Sequence, residues 1–431
     1  MRLRRPAATD LVLGLLCAMY LITYVDRANV ATAAGEIRRE LSLSATEWGT
    51  IASAFGLPYI LFQVFGGWVG DRFGPRWTLF ACGLIWSAAT MLTGLAGSFT
   101  ALFLVRVMLG FGEGATFPVA TRAMQAWTPA DRRGFAQGLT HAFARAGNAI
   151  TPPIVAWLVV AVGWRGAFYV LGLVGLAWGA VWAGYFRDVP AAHRRITSEE
   201  LERLPHRGMR AEAARVEVPW RRLAVRMLPV TVVYFCYGWT LWLYINWLPQ
   251  FFLEEYRLDI GRSALFASMV FSAGIAGDYV GGVISDGLLR RTGDLRLARR
   301  NVIVAGFLGS AAFLGPLFMT RDLTVISACL AGAFFCAELI IGPIWSIPMD
   351  IAPRFSGTAS GFMNTGSALA AVLSPQAFGY LADVTGNWHV PFIGSLALLV
   401  LGAALSFVMH PERPFEAPRA TPAAEPAAAR R

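Results

Sequence analysis

A short segment, Gly66 to Arg76 (GGWVGDRFGPR), recurs in altered form half a chain later as Gly281 to Arg291 (GGVISDGLLRR). Both copies keep Gly-Gly (the second being Gly67 and Gly282), an Asp four residues further on (Asp71 and Asp286), and then basic residues, Arg72 and Arg76 in the first copy. Each copy sits in a short polar gap where a long apolar stretch ends, and reads as a loop. One copy would fit many folds. Two copies at half-chain separation, each closing an apolar stretch, restrict the chain to a membrane protein built from two related halves.

Apolar residues make up 56% of the 431 residues and charged residues only 15%, so the expected solvent is a lipid bilayer. Twelve stretches are long enough to cross about 30 Å of hydrocarbon: 10–34, 46–70, 76–97, 100–126, 134–160, 164–187, 224–252, 263–288, 301–320, 323–348, 357–382 and 390–410. They predict an all-α membrane protein with an N-terminal six-helix bundle over 1–187 and a C-terminal six-helix bundle over 224–410. Between them lies a charged cytoplasmic linker, 188–223, with a short amphipathic helix near 197–204. The Pro/Ala-rich tail, 411–431, is expected to be disordered. Arg2, Arg4 and Arg5 precede the first span without a small-residue cleavage site, so that span reads as a retained helix rather than a leader. The five Cys (17, 82, 236, 329, 336) all fall inside apolar spans without CxxC spacing and read as small hydrophobes.

Arginine placement gives the orientation. With both termini cytoplasmic, the cytoplasmic segments hold most of the Arg, whereas the outer loops hold only Arg38, Arg39, Arg165, Arg257, Arg262 and Arg321. This is the positive-inside bias, so the net charge of +10 reflects topology and nucleic acid is not an expected partner. The chain contains no Lys. A Walker A loop and a Schiff-base nucleophile both require one, so ATP-driven pumping and lysine chemistry are excluded. No HExxH, GxSxG or clustered metal ligands occur, and no cofactor is implied. An enzyme is therefore not expected.

The segment GGWVGDRFGPR resembles the conserved cytoplasmic loop of the major facilitator superfamily, and the six-plus-six division extends the resemblance over the whole chain. Within that superfamily, YVDRANVA (24–31), RVMLGFGEGATFPVATR (106–122), GWRGAFYV (163–170), INWLPQFF (245–252) and LLRRTGD (288–294) resemble the anion:cation symporters, which include sugar-acid transporters and organic-anion carriers related to sialin. The resemblance implies a monomer in a bacterial inner membrane that moves a small organic anion with protons. Residue by residue, it implies substrate contact for Arg27 and Arg106, and proton coupling for Asp26 and Glu113. One stretch departs from the sugar-acid pattern. Span 5 reads HAFARAGNA (141–149), and His141 and Arg145 alter the expected cavity lining.

The residues themselves point the same way. The charges at membrane depth are Asp26, Arg27, Arg106, Glu113, Arg122, Arg145, Asp278 and Glu338. Buried in hydrocarbon they are costly, and they commonly mark ion or substrate pathways. Asp26 lies about 24 Å along its helix from the cytoplasmic start, and Arg106 about 9 Å below the outer surface, so the two reach similar depths. Glu113, two turns beyond Arg106 on nearly the same face, falls near the midplane. An Arg can hold a carboxylate through paired hydrogen bonds, and a desolvated Glu gains proton affinity. Tyr24, Tyr59, Trp242 and Asn364 are candidate substrate-binding residues, and Trp345 is a further residue on a helix that would face the cavity. Arg145 and Glu338 fit either the cavity lining or an interhelical pair. Gly67, Asp71, Arg72, Arg76, Gly282 and Asp286 read as gating or structural groups. Arg122 is expected to join that loop network, and Asp278 to belong to the same cytoplasmic bundle. Proton-coupled uptake of an organic anion is the leading reading. A proton-coupled drug or metabolite antiporter and an uncoupled anion facilitator remain the alternatives.

Overall fold

The computed structural model describes residues 7–204 and 217–415, and among these no β-strand occurs. Most of the expected disordered tail and the middle of the expected linker lie outside the described residues. In the first half, α1 (Ala8–Thr32) is followed by α2 (Ala34–Glu40), α3 (Ala45–Ser53), α4 (Gly56–Phe73), α5 (Pro75–Leu95), α6 (Phe99–Gly114), α7 (Thr116–Trp127) and α8 (Arg133–Tyr185). The short α9 (Ser198–Arg203) falls where the linker helix is expected. The second half comprises α10 (Trp220–Glu255), α11 (Ile260–Thr292), α12 (Val302–Leu314), α13 (Leu323–Glu338), α14 (Ile341–Ile351), α15 (Ser356–Thr385) and α16 (Val390–Leu405).

Among the described residues, ten stretches are long and apolar enough to cross a bilayer, with α3–α4, α6–α7 and α13–α14 each forming one. Two more crossings complete the twelve. The long α8 is interrupted at Gly163, where φ 73° and ψ 164° break the helix between the fifth and sixth spans. A φ in this range costs glycine nothing. The 30-residue α15 is rich in Gly, Ser and Ala, which lowers its hydropathy without shortening it. Helices are the only open-ended way to satisfy a backbone in hydrocarbon, which is why every apolar stretch becomes one.

Three expectations need correction. The duplicated segments are not loops. Gly66 to Phe73 completes α4, and the chain turns only at Gly74 (φ 90°). Gly281 to Arg291 lies wholly inside α11, which ends at Gly293 (φ 68°). With Asp and Arg carried on helix ends, the backbone needs no polar gap. The linker also gives up its last residues, because α10 starts at Trp220 directly after Pro219 rather than at 224. Finally, the fourth and tenth spans are each broken near mid-height. The breaks fall at Ala115 and at Leu339–Ile340, just after Glu113 and Glu338.

Helix starts follow a pattern that bears on the site. Ser44, Ser98, Asp259 and Asp322 cap the starts of α3, α6, α11 and α13 with their own side chains. The starts of α8 and α15, at the opposite end of the molecule, are capped from the other half of the protein instead. That end also carries the described chain ends, since Asp10 pairs with Arg132 at 3.6 Å and Glu412 with Arg296 at 2.8 Å.

Candidate functional site: a closed gate and a charged central cavity

Asp71, at the end of α4, accepts the Gly357 N–H at 3.0 Å and the Thr358 N–H and hydroxyl at 2.7 Å each, closing the start of α15. Asp286, at the equivalent point of α11, accepts the Gly134 N–H at 3.0 Å and the Phe135 N–H at 2.5 Å, closing the start of α8. A helix start carries unsatisfied N–H groups and the positive end of its dipole, so a carboxylate is the natural cap. Here each half caps a helix of the other. Arg122 backs Asp71 at 3.4 Å, and Arg299 backs Asp286 at 2.9 Å while also reaching Asp350 at 3.0 Å. Arg133 crosses between halves to Asp350 at 2.7 Å. Small residues permit the approach. A Cβ on Gly67 would sit 2.2 Å from the Gly357 carbonyl oxygen, and one on Gly282 would sit 2.4 Å from that of Gly134. Arg76 stays within its own half, donating to the Ala183 carbonyl at 2.6 and 2.9 Å, and Arg72 is exposed. Neither crosses between the halves in these contacts.

Above this closed end, a cavity lies between the halves, lined by Tyr24, Arg27, Tyr59, Phe117, His141, Arg145, Tyr234, Leu241, Trp242, Trp345, Asn364, Ser367 and Ala368. Its free volume is about 30 Å³, room for about two waters. Arg27 donates from Nε to Glu113 Oε2 at 2.6 Å, with Glu113 fully buried. The guanidinium lies 4.7–5.3 Å from the ring centroids of Tyr24, Phe55, Tyr59 and Phe117, and its Nη2 has no hydrogen-bond partner. Such a cage holds a cation while leaving donors unspent.

Asp26 and Arg106 are buried behind this wall rather than in it. Asp26 accepts from Asn29 at 3.3 Å, and its other oxygen is unpartnered. Arg106 lies 5.4 Å from the Phe55 ring centroid, with its Nε unpartnered. Asp26, Arg27, Arg106 and Glu113 therefore form one cluster inside the first half, and Arg27 alone of the four faces the cavity. Tyr24, Tyr59, Trp242 and Asn364 all line it. Asn364 bridges to Gln63 at 2.8 Å, and Trp242 donates to Ser367 at 3.2 Å.

Arg145 reaches across to the second half. Its Nη2 donates to Glu338 at 3.1 and 3.2 Å and to the Tyr237 hydroxyl at 3.0 Å, and its Nε is 3.8 Å from Asp278. This corrects the placement of Asp278, which belongs to the centre of the molecule and not to the closed chain-terminus end. The sequence contains a signal for it. Asp278 precedes Asp286 by two turns, as Gln63 precedes Asp71, and Gln63 also pairs across the halves. The Arg27–Glu113 pair and the Asp350 bridge had no such signal, because helical spacing gives a face and not a partner.

Residues 16–375 match the Major Facilitator Superfamily, with a second match over 293–431. The "Probable sulfoacetate transporter SauU" of Cupriavidus necator is 47% identical over 409 residues, covering 95% of each chain. The "Probable galactarate/D-glucarate transporter GarP" of Escherichia coli K12 is 30% identical, covering 91% of this chain and 92% of its own. The solved structure of the proton:xylose symporter XylE superposes with a TM-score of 0.73 at 14% identity, covering 93% of this chain and 95% of that one, a likeness of fold alone. Twelve crossings, a duplicated segment where the halves meet and matches along nearly the whole length lead to one conclusion: the chain belongs to the major facilitator superfamily, as a multi-pass membrane transporter and not an enzyme.

Proposed function

We propose that this protein takes up a small organic anion together with protons by alternating access. The supporting observation is the Arg27–Glu113 pair at the cavity wall, where a caged cation with a spare donor is held by a fully buried carboxylate. An incoming carboxylate or sulfonate competes with Glu113 for Arg27. The anion can win cheaply only if Glu113 takes up a proton as it lets go, because an ionised carboxylate freed inside the protein pays for its desolvation. Anion and proton are then mutually favourable cargo. Asp26, unpartnered on one oxygen, is the second group on this path, and Arg106 holds the cluster positive while Arg27 is occupied by substrate.

The cavity is too small for an organic acid in this conformation, so the anion enters as Tyr24, Tyr59, Trp242 and Asn364 part. Among candidate cargoes, a compact acid such as sulfoacetate is favoured, because the 47% identical relative carries that name. The six-helix units run 1–187 and 220–410, joined by 188–219. Both termini face the cytoplasm of a bacterial inner membrane, so the Asp71/Asp286 end is the inner gate, shut here. The transporter works as a monomer. Uptake by proteoliposomes from a panel of labelled acids (sulfoacetate, glucarate, galactonate, glucuronate), with and without an imposed pH gradient, tests the reading. Gradient-stimulated accumulation of at least one acid is expected. Equal uptake of every acid with and without the gradient would overturn it.

A further inference from the structure

We propose that Asp278 and Glu338 share one proton, making a second proton-binding site on the opposite side of the cavity from Glu113. The charge balance at Arg145 carries the inference. Asp278 and Glu338 are fully buried, Arg145 is 5% exposed, and the single guanidinium faces both carboxyl groups. With both acids ionised, the cluster holds one uncompensated negative charge in a dehydrated interior, and no bound proton means an unpaired buried charge.

Among the described residues, no neighbouring helix supplies a second cation. From α8 the ionisable groups are Arg145 itself and His141, one turn away. The His141 ring packs on Tyr20 and Trp345 at 5.0 and 5.1 Å, and it meets the Gln137 carbonyl through Nδ1 at 2.9 Å, within the field of Arg145. From α10 comes Tyr237, whose hydroxyl donates to Glu338 at 2.9 Å; from α13, Glu338; from α1, Tyr24, which accepts from Arg145 at 3.3 Å. Arg27 is already paired with Glu113. The hydrogen-bond inventory points to the same vacancy in charge. Both oxygens of Asp278 lack a donor, although Arg145 lies against this group and the Glu338 carboxyl alike and a Cβ on the adjacent Gly277 would lie 3.0 Å from the Glu338 Cβ. A single proton placed between the two acids supplies that donor and leaves one anion against one cation, the arrangement by which two carboxylates share a site.

The first half offers a comparison within the same molecule. Gln63 stands where Asp278 stands, two turns before its gate aspartate, and makes a neutral amide pair with Asn364. The second half replaces that neutral pair with a charged triad drawn from α8, α11 and α13, which joins both halves and opens onto the cavity through Arg145. The site is thus assembled only while these helices are together, and the proton's release accompanies their separation. Its role in transport rests on the proton-coupled reading above, whereas its existence does not.

Infrared difference spectroscopy of the full-length protein in lipid, at about neutral pH, reads the carbonyl stretch of protonated carboxyl groups directly. Wild type is expected to show such a band. Asp278→Asn and Glu338→Gln should each remove the same one-carboxyl component, because either leaves one acid opposite Arg145 and that acid ionises. Both variants keep side-chain shape and bring the charges to balance, so folding is preserved. Glu113→Gln should leave this component in place. Absence of the component from wild type, or its persistence in both variants, would overturn the site. In proteoliposomes given a pH gradient, with sulfoacetate as the probe, the proton-to-sulfoacetate ratio should fall by one in Asp278→Asn. Absence of gradient-driven uptake in wild type would count against the transport reading, with the infrared result still deciding the site.

Discussion

The gate aspartates allow a quantitative prediction. In Asp286→Asn the side chain keeps its shape but can accept only one of the two N–H groups it now holds, those of Gly134 and Phe135. The pairing with Arg299 weakens too, but Arg299 and Asp286 belong to the same half, and Arg299 keeps Asp350. That loss is common to open and closed states and does not bias the gate. The bonds to the start of α8 exist only while the halves meet. Losing one charge-assisted hydrogen bond of this kind costs about 1.5–3 kcal/mol. The closed population should therefore fall about 10- to 100-fold relative to the open one. Spin labels at positions 132 and 290, both exposed at this end, report the separation by pulsed dipolar spectroscopy. The short-distance population should shrink in the variant and a longer one appear. An unchanged distance distribution would show that the aspartate is not what holds this end shut.

Gly67→Val should block closure altogether, because its Cβ meets the Gly357 carbonyl oxygen at 2.2 Å; the same label pair should report a permanently open end. Arg27→Lys keeps the charge but loses the planar fork, and should weaken anion binding by at least about tenfold in a titration of purified protein. Arg106→Ala, behind the wall, should reduce binding while leaving the protein folded in detergent; unchanged affinity would make Arg106 structural. Outside the membrane, Glu40 is held below the ordinary carboxylate range by the indole N–H of Trp164 and then by Arg165. A lowered folded value means its contribution is present above the unfolded value and is lost as pH falls through the folded one. Thermal unfolding of wild type against Glu40→Gln should therefore differ near neutral pH, and the difference should shrink as pH falls through and below the ordinary carboxylate range.

The sequence reading reached the architecture because its signals are physical necessities of the bilayer. Runs long enough to cross become helices, and the gap between spans five and six coincides with the break at Gly163. The duplicated Gly and Asp mark the segments where the halves meet but not how they meet, since nothing along the chain says that Asp71 caps α15 and Asp286 caps α8. The cluster of Asp26, Arg27, Arg106 and Glu113 was legible from depth and spacing. Which member faces the cavity was not. Asp26 and Arg27 are adjacent on one helix and point in different directions, so packing chooses Arg27. Arg145 remained ambiguous because its partners, Glu338 and Asp278, lie in the other half and no local pattern connects them.

Coupling through Glu113 is the central claim, and one substitution tests it directly. A Gln at 113 mimics the protonated acid permanently. It should still bind anion and still exchange internal for external substrate in proteoliposomes, since neither process requires net proton movement. It should lose most of the accumulation driven by a pH gradient, because the proton carried by Glu113 can no longer be released on the inner side and only the one shared by Asp278 and Glu338 stays coupled. Accumulation by Glu113→Gln against a substrate gradient at the wild-type level would contradict the account.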